Sequence, residues 1–175
     1  MRPSIVCMIL LLAAALPSAR ADDACTDFKW DVSKERALFA AAATPLKAGT
    51  DAKTAPTLVP DKLYQLQLAS QASVNFVPEP GRKLRAASDH GGIATLKLPA
   101  SGSYRIALDM PLWIDVVANA TLVPAKDFQS QRDCKPPHKI VEFDLAVDQP
   151  LVLQLSNSAA DSVRLTIIAS PPRKF

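Results

Sequence analysis

Short stretches in which apolar and polar residues alternate dominate the chain from residue 62 onward. Residues that favour turns, mainly Pro, Gly, Ser and Asp, separate each stretch from the next. A period of two is typical of strands that bury one face, and many such strands in succession predict a β-sandwich. The predicted fold class is therefore mainly β, an antiparallel β-sandwich with one short N-terminal helix. The predicted strands lie in "KLYQLQLAS", "SVNFV", "IATLKL", "SYRIALD", "LWIDVVA", "IVEFDLAV", "LVLQLS" and "VRLTIIA".

The residues before the sandwich follow a different pattern. Residues 28–32 alternate between apolar and polar side chains, which predicts a short extended segment. Ser33 is a candidate N-cap for a helix through the strong helix formers of "KERALFAAAA", which Thr44-Pro45 should end. The predicted organisation is one domain over residues 22–175, with an extended segment and helix (22–44), an irregular connection (45–61) and the sandwich (62–175).

The first 21 residues have the features of a secretory signal peptide. Arg2 supplies the positive start, an apolar run extends from Ile5 to Leu16, and Ala19-Arg20-Ala21 has the small-x-small pattern of a cleavage site. The apolar run is too short to span a hydrocarbon layer of ~30 Å comfortably. We therefore expect residues 1–21 to be removed on export to the periplasm or the extracellular space. No transmembrane segment is predicted after the signal.

Removing this signal changes the charge of the chain. The full sequence has 20 basic and 17 acidic residues, a net charge of +3. The signal contains Arg2 and Arg20 and no acidic residue, so 18 basic residues remain against 17 acidic ones, a net charge of +1. A nearly neutral chain lacks the surplus of Lys and Arg on which nucleic-acid binding depends. The sequence therefore predicts no nucleic-acid partner.

Export also decides how the cysteines are interpreted. Cys7 lies inside the predicted signal, which leaves Cys25 and Cys134 as a pair in an oxidising compartment. Two cysteines in an exported chain predict one structural disulfide. The alternative is a catalytic or metal-binding thiol.

Two histidines, His90 and His138, are weak candidates for metal ligands. They lie in predicted loops 48 residues apart. A non-haem iron site needs two histidines and one carboxylate, which Asp89, Asp133 or Glu142 could supply. The spacing contains no H-x-D or H-x-E signature, and the alternative is that both histidines are ordinary loop residues. No metal or cofactor is therefore assigned.

Aromatic and charged residues of the sandwich suggest a ligand surface rather than a catalytic centre. Tyr104 and Trp113 are candidates for an aromatic platform for sugars, with core packing as the alternative. The basic segment "GRKLR" from Gly81 to Arg85 could contact an anionic polymer or form a solvated charge cluster, and Asp115 is expected on a solvent-exposed face. The chain has no G-x-S-x-G, G-x-G-x-x-G or P-loop sequence, so no catalytic residue is predicted.

Three segments resemble small exported bacterial proteins of poorly defined function. They are "CTDFKWDVSKERALF", "LPASGSYRIALDMPLWIDVV" and "DCKPPHKIVEFDLAVDQPLVLQLSNSAADSVRLTI". The part "LPASGSYRIAL" is also similar to a hairpin of pre-peptidase C-terminal domains, which are β-sandwiches. The resemblance implies a jelly-roll-like sandwich with an accessory or binding role. Similar chains are sometimes labelled homogentisate 1,2-dioxygenase, an iron enzyme with two His ligands and one Glu ligand, but no position of that motif matches here.

Two functions follow from these observations. The first is a secreted, non-catalytic binding or envelope-associated module, whose partner would be a glycan or another envelope component. The alternative is a small metal-dependent enzyme, such as a non-haem iron dioxygenase that uses His90 and His138.

Overall fold

The structure is a computed structural model that describes residues 28–131 and 135–171. Within these ranges it contains one α-helix, one 3-10 turn and twelve β-strands. No helix of this described part is both long enough and apolar enough to cross a membrane. The elements are α1 (Ser33–Phe39), β1 (Thr44–Lys47), β2 (Thr57–Leu58), β3 (Leu63–Gln67), β4 (Ala69–Ser70), the 3-10 turn (Gln71–Ser73), β5 (His90–Leu96), β6 (Gly102–Leu108), β7 (Trp113–Ala118), β8 (Thr121–Val123), β9 (Asp127–Ser130), β10 (Lys139–Leu145), β11 (Leu151–Ser158) and β12 (Ser162–Ala169).

Two β-sheets face each other across the main hydrophobic core. Sheet A has the strand order β1-β3-β12-β6-β10-β9, and sheet B has the order β2-β5-β11-β7-β8, with β4 also paired to β5. Neighbouring strands are antiparallel except for β1 with β3 and β2 with β5, which are parallel. The predicted β-sandwich with one short N-terminal helix is thus confirmed, with short parallel strands added at its edges.

Eight of the strands have the connectivity of a jelly roll. These eight strands are numbered one to eight in chain order: β3, β5, β6, β7, β8, β10, β11 and β12. Sheet A contains four of them, in the order one-eight-three-six. Sheet B contains the others in the order two-seven-four-five. This alternation between two antiparallel sheets is the double Greek key of jelly rolls. β1, β2, β4 and β9 extend the edges of the two sheets.

The core between the sheets contains the inward-facing residue of each alternating pair. Ile106, Phe143 and Leu165 enter it from sheet A, and Val116 and Leu153 enter it from sheet B. Each fully buried side chain of this size contributes roughly 1.5–3 kcal/mol relative to an exposed position. The alternation seen in the sequence therefore defines the inner face of both sheets.

The outer face of sheet A is covered by the N-terminal residues. Phe28, Val32 and Phe39 pack against Ala107 and Ile140 in a second, smaller hydrophobic cluster. The helix in this cover is shorter than predicted, because it ends at Phe39 so that the chain can turn into β1 beside β3. The prediction of Ser33 as the N-cap was also wrong. Ser33 is the first helical residue, and the Asp31 carboxylate accepts a hydrogen bond from its backbone N–H.

Two further segments differ from the sequence predictions. Residues 45–61, predicted to be irregular, contain most of β1 and all of β2. The predicted strand in "SVNFV" does not form, and residues 74–89 instead cross the outer face of sheet B. We call residues 74–89 the strap. Its backbone bonds to side chains that project from the sheet, so it cannot extend a ladder in the plane of that sheet.

Candidate functional site

The outer face of sheet B carries a row of three side chains under the strap. Gln154 on β11 lies opposite Ile93 on β5 and opposite Asp115 on β7. Their sequence neighbours Ala94, Ile114 and Leu153 point into the core, so the row points outward. The row is therefore a continuous line across three strands, with an apolar end at β5 and an acidic end at β7.

Hydrogen bonds from this row hold the strap in place. Gln154 Nε2 donates to the Pro78 carbonyl (3.2 Å), and Gly81 N–H donates to Asp115 Oδ2 (3.0 Å). Trp113 Nε1 donates to the same Asp115 oxygen at 2.9 Å. Asp115 is only 9% exposed, so the prediction that it faces solvent was wrong. Burial raises the pKa of its carboxyl, and the hydrogen bonds from Gly81 and Trp113 oppose that shift.

A bulge in β11 provides a second anchor for the strap. The pairing of β11 with β5 shifts register between Leu155 and Ser158, and Asn157 there adopts the left-handed conformation (φ 60°) that Asn tolerates. Asn157 Oδ1 accepts from Arg85 N–H (2.9 Å), and its Nδ2 donates to the Lys83 carbonyl (3.3 Å). Part of the basic segment "GRKLR" is therefore tied to the sheet.

A groove opens beside the strap at the β5 end of the row. Its volume is about 270 Å³. Gln154 in its lining is 1% exposed, and its Oε1 accepts no hydrogen bond within the part of the chain that the structure describes. The groove thus combines apolar and polar surface with a buried acceptor. It is lined by Asp51, Ala52, Lys53, Asn75, Val77, Ile93, Val152 and Gln154.

Two cations converge on the Trp113 ring at the other end of the row. Lys139 Nζ lies 5.2 Å from the centre of the ring, and Arg82 Cζ lies 5.6 Å from it. Lys139 Nζ also donates to the Leu112 carbonyl at 2.6 Å. Burial lowers the pKa of Lys139 to about 8; Arg82 adds to this shift and Asp115 opposes it. We call Arg82, Trp113 and Lys139 the cationic cluster.

The aromatic platform proposed from Tyr104 and Trp113 does not form. Tyr104 lies on the inner face of β6, is 3% exposed, and donates its hydroxyl hydrogen bond to the Ala100 carbonyl (2.7 Å). Trp113 lies on sheet B, where the cationic cluster surrounds it. The prediction was wrong for Tyr104, because its place in the alternation puts it on the same face as Ile106.

The two candidate metal ligands lie on different strands. His90 begins β5 and lies opposite Ser158, whereas His138 directly precedes β10 and donates its backbone N–H to the Leu108 carbonyl. His90 therefore lies in sheet B, whereas His138 leads into a strand of sheet A. Within residues 28–131 and 135–171, no three His, Cys, Asp or Glu side chains are arranged to hold a metal ion. Asp133, one of the proposed carboxylate ligands, lies outside the described residues.

Cys25 and Cys134 also lie outside the described residues, so their disulfide stays a prediction. The described segments that flank them are in contact. Lys29 N–H donates to Gln129 Oε1 at 2.9 Å, and the Lys29 ammonium bonds to the carboxylate of Asp127. The chain four residues after Cys25 therefore meets the chain five residues before Cys134.

A buried ion pair that the sequence did not predict lies between α1 and the outer face of sheet A. Arg105 is 2% exposed and its Nη2 lies 2.9 Å from Glu35 Oε1, beneath α1. Neither Glu35 oxygen accepts a well-aligned hydrogen bond from another described residue, and burial raises the pKa of Glu35. Arg105 Nη2 also donates to the Asp31 carbonyl at 3.2 Å. In the sequence, Arg105 occupies a polar position of an alternating strand, which gave no sign that a helix covers it.

No protein-family model matches this chain, and no curated protein is significantly similar to it. Its function is therefore argued from the geometry and chemistry of the outer face of sheet B.

Proposed function

We propose that the chain is an exported, non-catalytic binding module that holds one unit of an envelope polymer, such as a sugar residue of a glycan. The groove beside the strap is the observation that carries this proposal. Its volume of about 270 Å³ lies below the ~300–1,000 Å³ of pockets that enclose whole drug-sized ligands. It therefore suits a single ring or side chain of a larger ligand that extends beyond the groove.

The lining of the groove supports a polar ring with an apolar face. Ile93 and Val152 supply apolar surface, while Lys53 and Asn75 supply polar groups. Buried polar atoms normally have a hydrogen-bond partner, and the Gln154 Oε1 acceptor has none among the described residues. This oxygen is shielded from solvent, so a small movement of the groove lining would let a ligand hydroxyl donate to it and orient a sugar ring above the apolar surface.

The attachment of the strap supports a preformed site. Pro78 is bonded to Gln154, and Gly81 is bonded to Asp115, so the strap is fixed next to the groove on the sheet itself. A site that is already ordered loses less conformational entropy when a ligand binds. The prediction of export rests on residues 1–21, which lie outside the described residues.

The alternative function, a metal-dependent dioxygenase, has less support. It needs His90 and His138 at one centre, whereas His90 lies in sheet B and His138 precedes a strand of sheet A, and no three metal-ligating side chains of the described residues are grouped to hold an ion.

A panel of envelope glycans, titrated against the isotope-labelled mature chain and followed by NMR, tests the proposal. We expect a ligand that shifts the amide signals of Ile93, Val152 and Gln154. Ala52→Trp should fill the groove from its exposed edge and weaken binding at least tenfold. Ala42→Trp, at an exposed position on the sheet A side, is the matched control and should bind as the wild type does. Absence of binding across the panel, or full binding by Ala52→Trp, would contradict the proposal.

A further inference from the structure

We propose that the cationic cluster of Arg82, Trp113 and Lys139 binds a carboxylate of an acidic polysaccharide. This inference rests on the proposed function, because it assigns a ligand class to the same outer face of sheet B. It concerns different residues, since no member of the cluster lines the groove. The acidic polymer would place one sugar in the groove and the carboxylate of a neighbouring sugar at the cluster.

The described residues neutralise the two cations of the cluster only in part. Arg82 forms neither an ion pair nor a side-chain hydrogen bond with any described residue, and its guanidinium lies over the Trp113 ring. The Lys139 ammonium donates to the Leu112 carbonyl, which leaves two of its three N–H bonds for a ligand. Asp115 offsets one of the two positive charges, and one of its oxygens, Oδ2, already accepts from both Gly81 N–H and Trp113 Nε1.

These cations come from segments that are distant in sequence, and they repel each other. Arg82 belongs to the strap, and Lys139 begins β10 of the opposite sheet. The ring contacts attract each cation but do not cancel its charge. An anion between the guanidinium and the ammonium would relieve the repulsion and accept charge-assisted hydrogen bonds from both.

Charge balance and spacing favour a sugar carboxylate over a phosphate. Two cations and the single carboxylate of Asp115 leave one net positive charge, which matches a singly charged ligand group. Asp115 and Ile93 are two strand spacings apart across the row, roughly 10 Å. An oligosaccharide that crosses the outside of the strap above this row can therefore span the groove and the cluster.

Binding at this cluster should be linked to the protonation of Lys139. Its pKa of about 8 in the free protein reflects burial first and Arg82 second, while Asp115 acts in the opposite direction. A bound carboxylate stabilises the charged amine, so affinity should be constant from about pH 6, where the ligand carboxylate is fully charged, up to pH 8. Above that pH it should fall, by up to tenfold per pH unit, as the amine loses its proton. Lys139→Arg should bind without this decline, because arginine stays protonated.

The test compares an oligogalacturonate with its fully methyl-esterified form, which keeps the sugar chain but carries an uncharged methyl ester in place of each carboxylate. Calorimetry gives the Kd, and the indole N–H signal of Trp113, assigned with Trp113→Phe, reports on the site. We expect the oligogalacturonate to shift this signal and the ester not to. Arg82→Gln and Lys139→Gln should each weaken acid binding roughly tenfold or more. Lys47→Gln, an exposed lysine on β1 of sheet A, is the matched control and should leave the Kd unchanged.

The possible outcomes separate this proposal from the proposed function. Equal affinity for acid and ester would overturn the carboxylate site, and loss of that binding in Ala52→Trp would leave the groove as the binding site. Displacement of the oligogalacturonate by a lower concentration of inorganic phosphate would also overturn it, in favour of a phosphate site. Binding of neither oligomer would overturn it as well, while the wider glycan panel would still decide the proposed function. Loss of binding in Lys139→Gln together with a pH-independent Kd in Lys139→Arg would support it.

Discussion

Replacement of Arg105 by Met is expected to destabilise the protein, and to do so more at pH 8 than at pH 5. Arg105 and Glu35 are both buried under α1, and their side chains form an ion pair of 2.9 Å. Met keeps much of the volume of the arginine stem but removes the counterion of Glu35. The carboxylate must then either remain charged without a counterion or take up a proton.

The size of the loss follows from this choice. An uncompensated buried charge costs about 3–5 kcal/mol, and protonation limits the cost to roughly 1.4 kcal/mol for each unit by which the pH exceeds the ordinary pKa of the carboxyl, 4.5. Burial already raises the pKa of Glu35 above its ordinary value of 4.5, and removal of Arg105 raises it further. A carboxyl whose pKa is raised by folding favours the folded state when protonated. Stability should therefore fall as the pH rises from about 4.5 through the folded-state pKa.

Urea unfolding at pH 5 and pH 8, followed by near-UV circular dichroism, measures this effect. The double variant Arg105→Met/Glu35→Leu removes both charges and should recover most of the lost stability. Glu142 lies opposite Arg105 in the β6–β10 pair, so its carboxyl could also respond to the loss of Arg105. The stabilities at pH 5 and pH 8 are therefore measured again in a Glu142→Gln background, where only the effect of Glu35 remains. An equal loss at both pH values, or a double variant no more stable than Arg105→Met, would refute the electrostatic explanation in favour of packing alone.

Three further predictions concern other parts of the fold. Gly92→Ala should reduce the free energy of unfolding by about 1–3 kcal/mol, because the new Cβ would lie 2.4 Å from the Cβ of Ala48. Gly102→Ala is the control in the same urea titration, because a Cβ at residue 102 would have no atom within 4 Å. Asp115→Ala removes the hydrogen bond that Gly81 N–H of the strap donates to the sheet, so trypsin should cleave the basic residues of the strap faster than in wild type. An unchanged cleavage rate would contradict this anchoring. In periplasmically expressed protein, Cys25 and Cys134 should be alkylated only after reduction. Reduction should lower the free energy of unfolding by up to about 4–5 kcal/mol. Alkylation of the unreduced protein would rule out the disulfide.

The inner architecture of the sandwich was predictable from the alternation of apolar residues. "SYRIALD" and "LVLQLS" coincide closely with β6 and β11, because each inward position of these strands must be apolar to enter the core. The jelly-roll order of the eight strands does not follow from this pattern, because every strand of either sheet has one face in the shared core. The pattern therefore identifies both the strands and the face of each that is buried.

The candidate site was not predictable, because it depends on what covers the outer faces. Asp115, Gln154 and Arg105 occupy outward positions, where a period of two leads one to expect contact with water. Residues 74–89 cover the first two, and residues 28–39 cover the third. These covering segments are irregular or short, and they lie far along the chain from the strands they cover. Their sequences have no periodicity that indicates which face of which sheet they pack against.

The N-terminal cover of sheet A also determines how the protein can be presented to a binding partner. Phe28 to Phe39 lie against sheet A, whereas the groove and the cationic cluster lie on the far side of the sandwich. An affinity tag, a surface tether or a fused carrier joined ahead of residue 28 would thus leave from the side opposite the strap. Immobilised through that end on a sensor chip, the protein would display the outer face of sheet B to the solution.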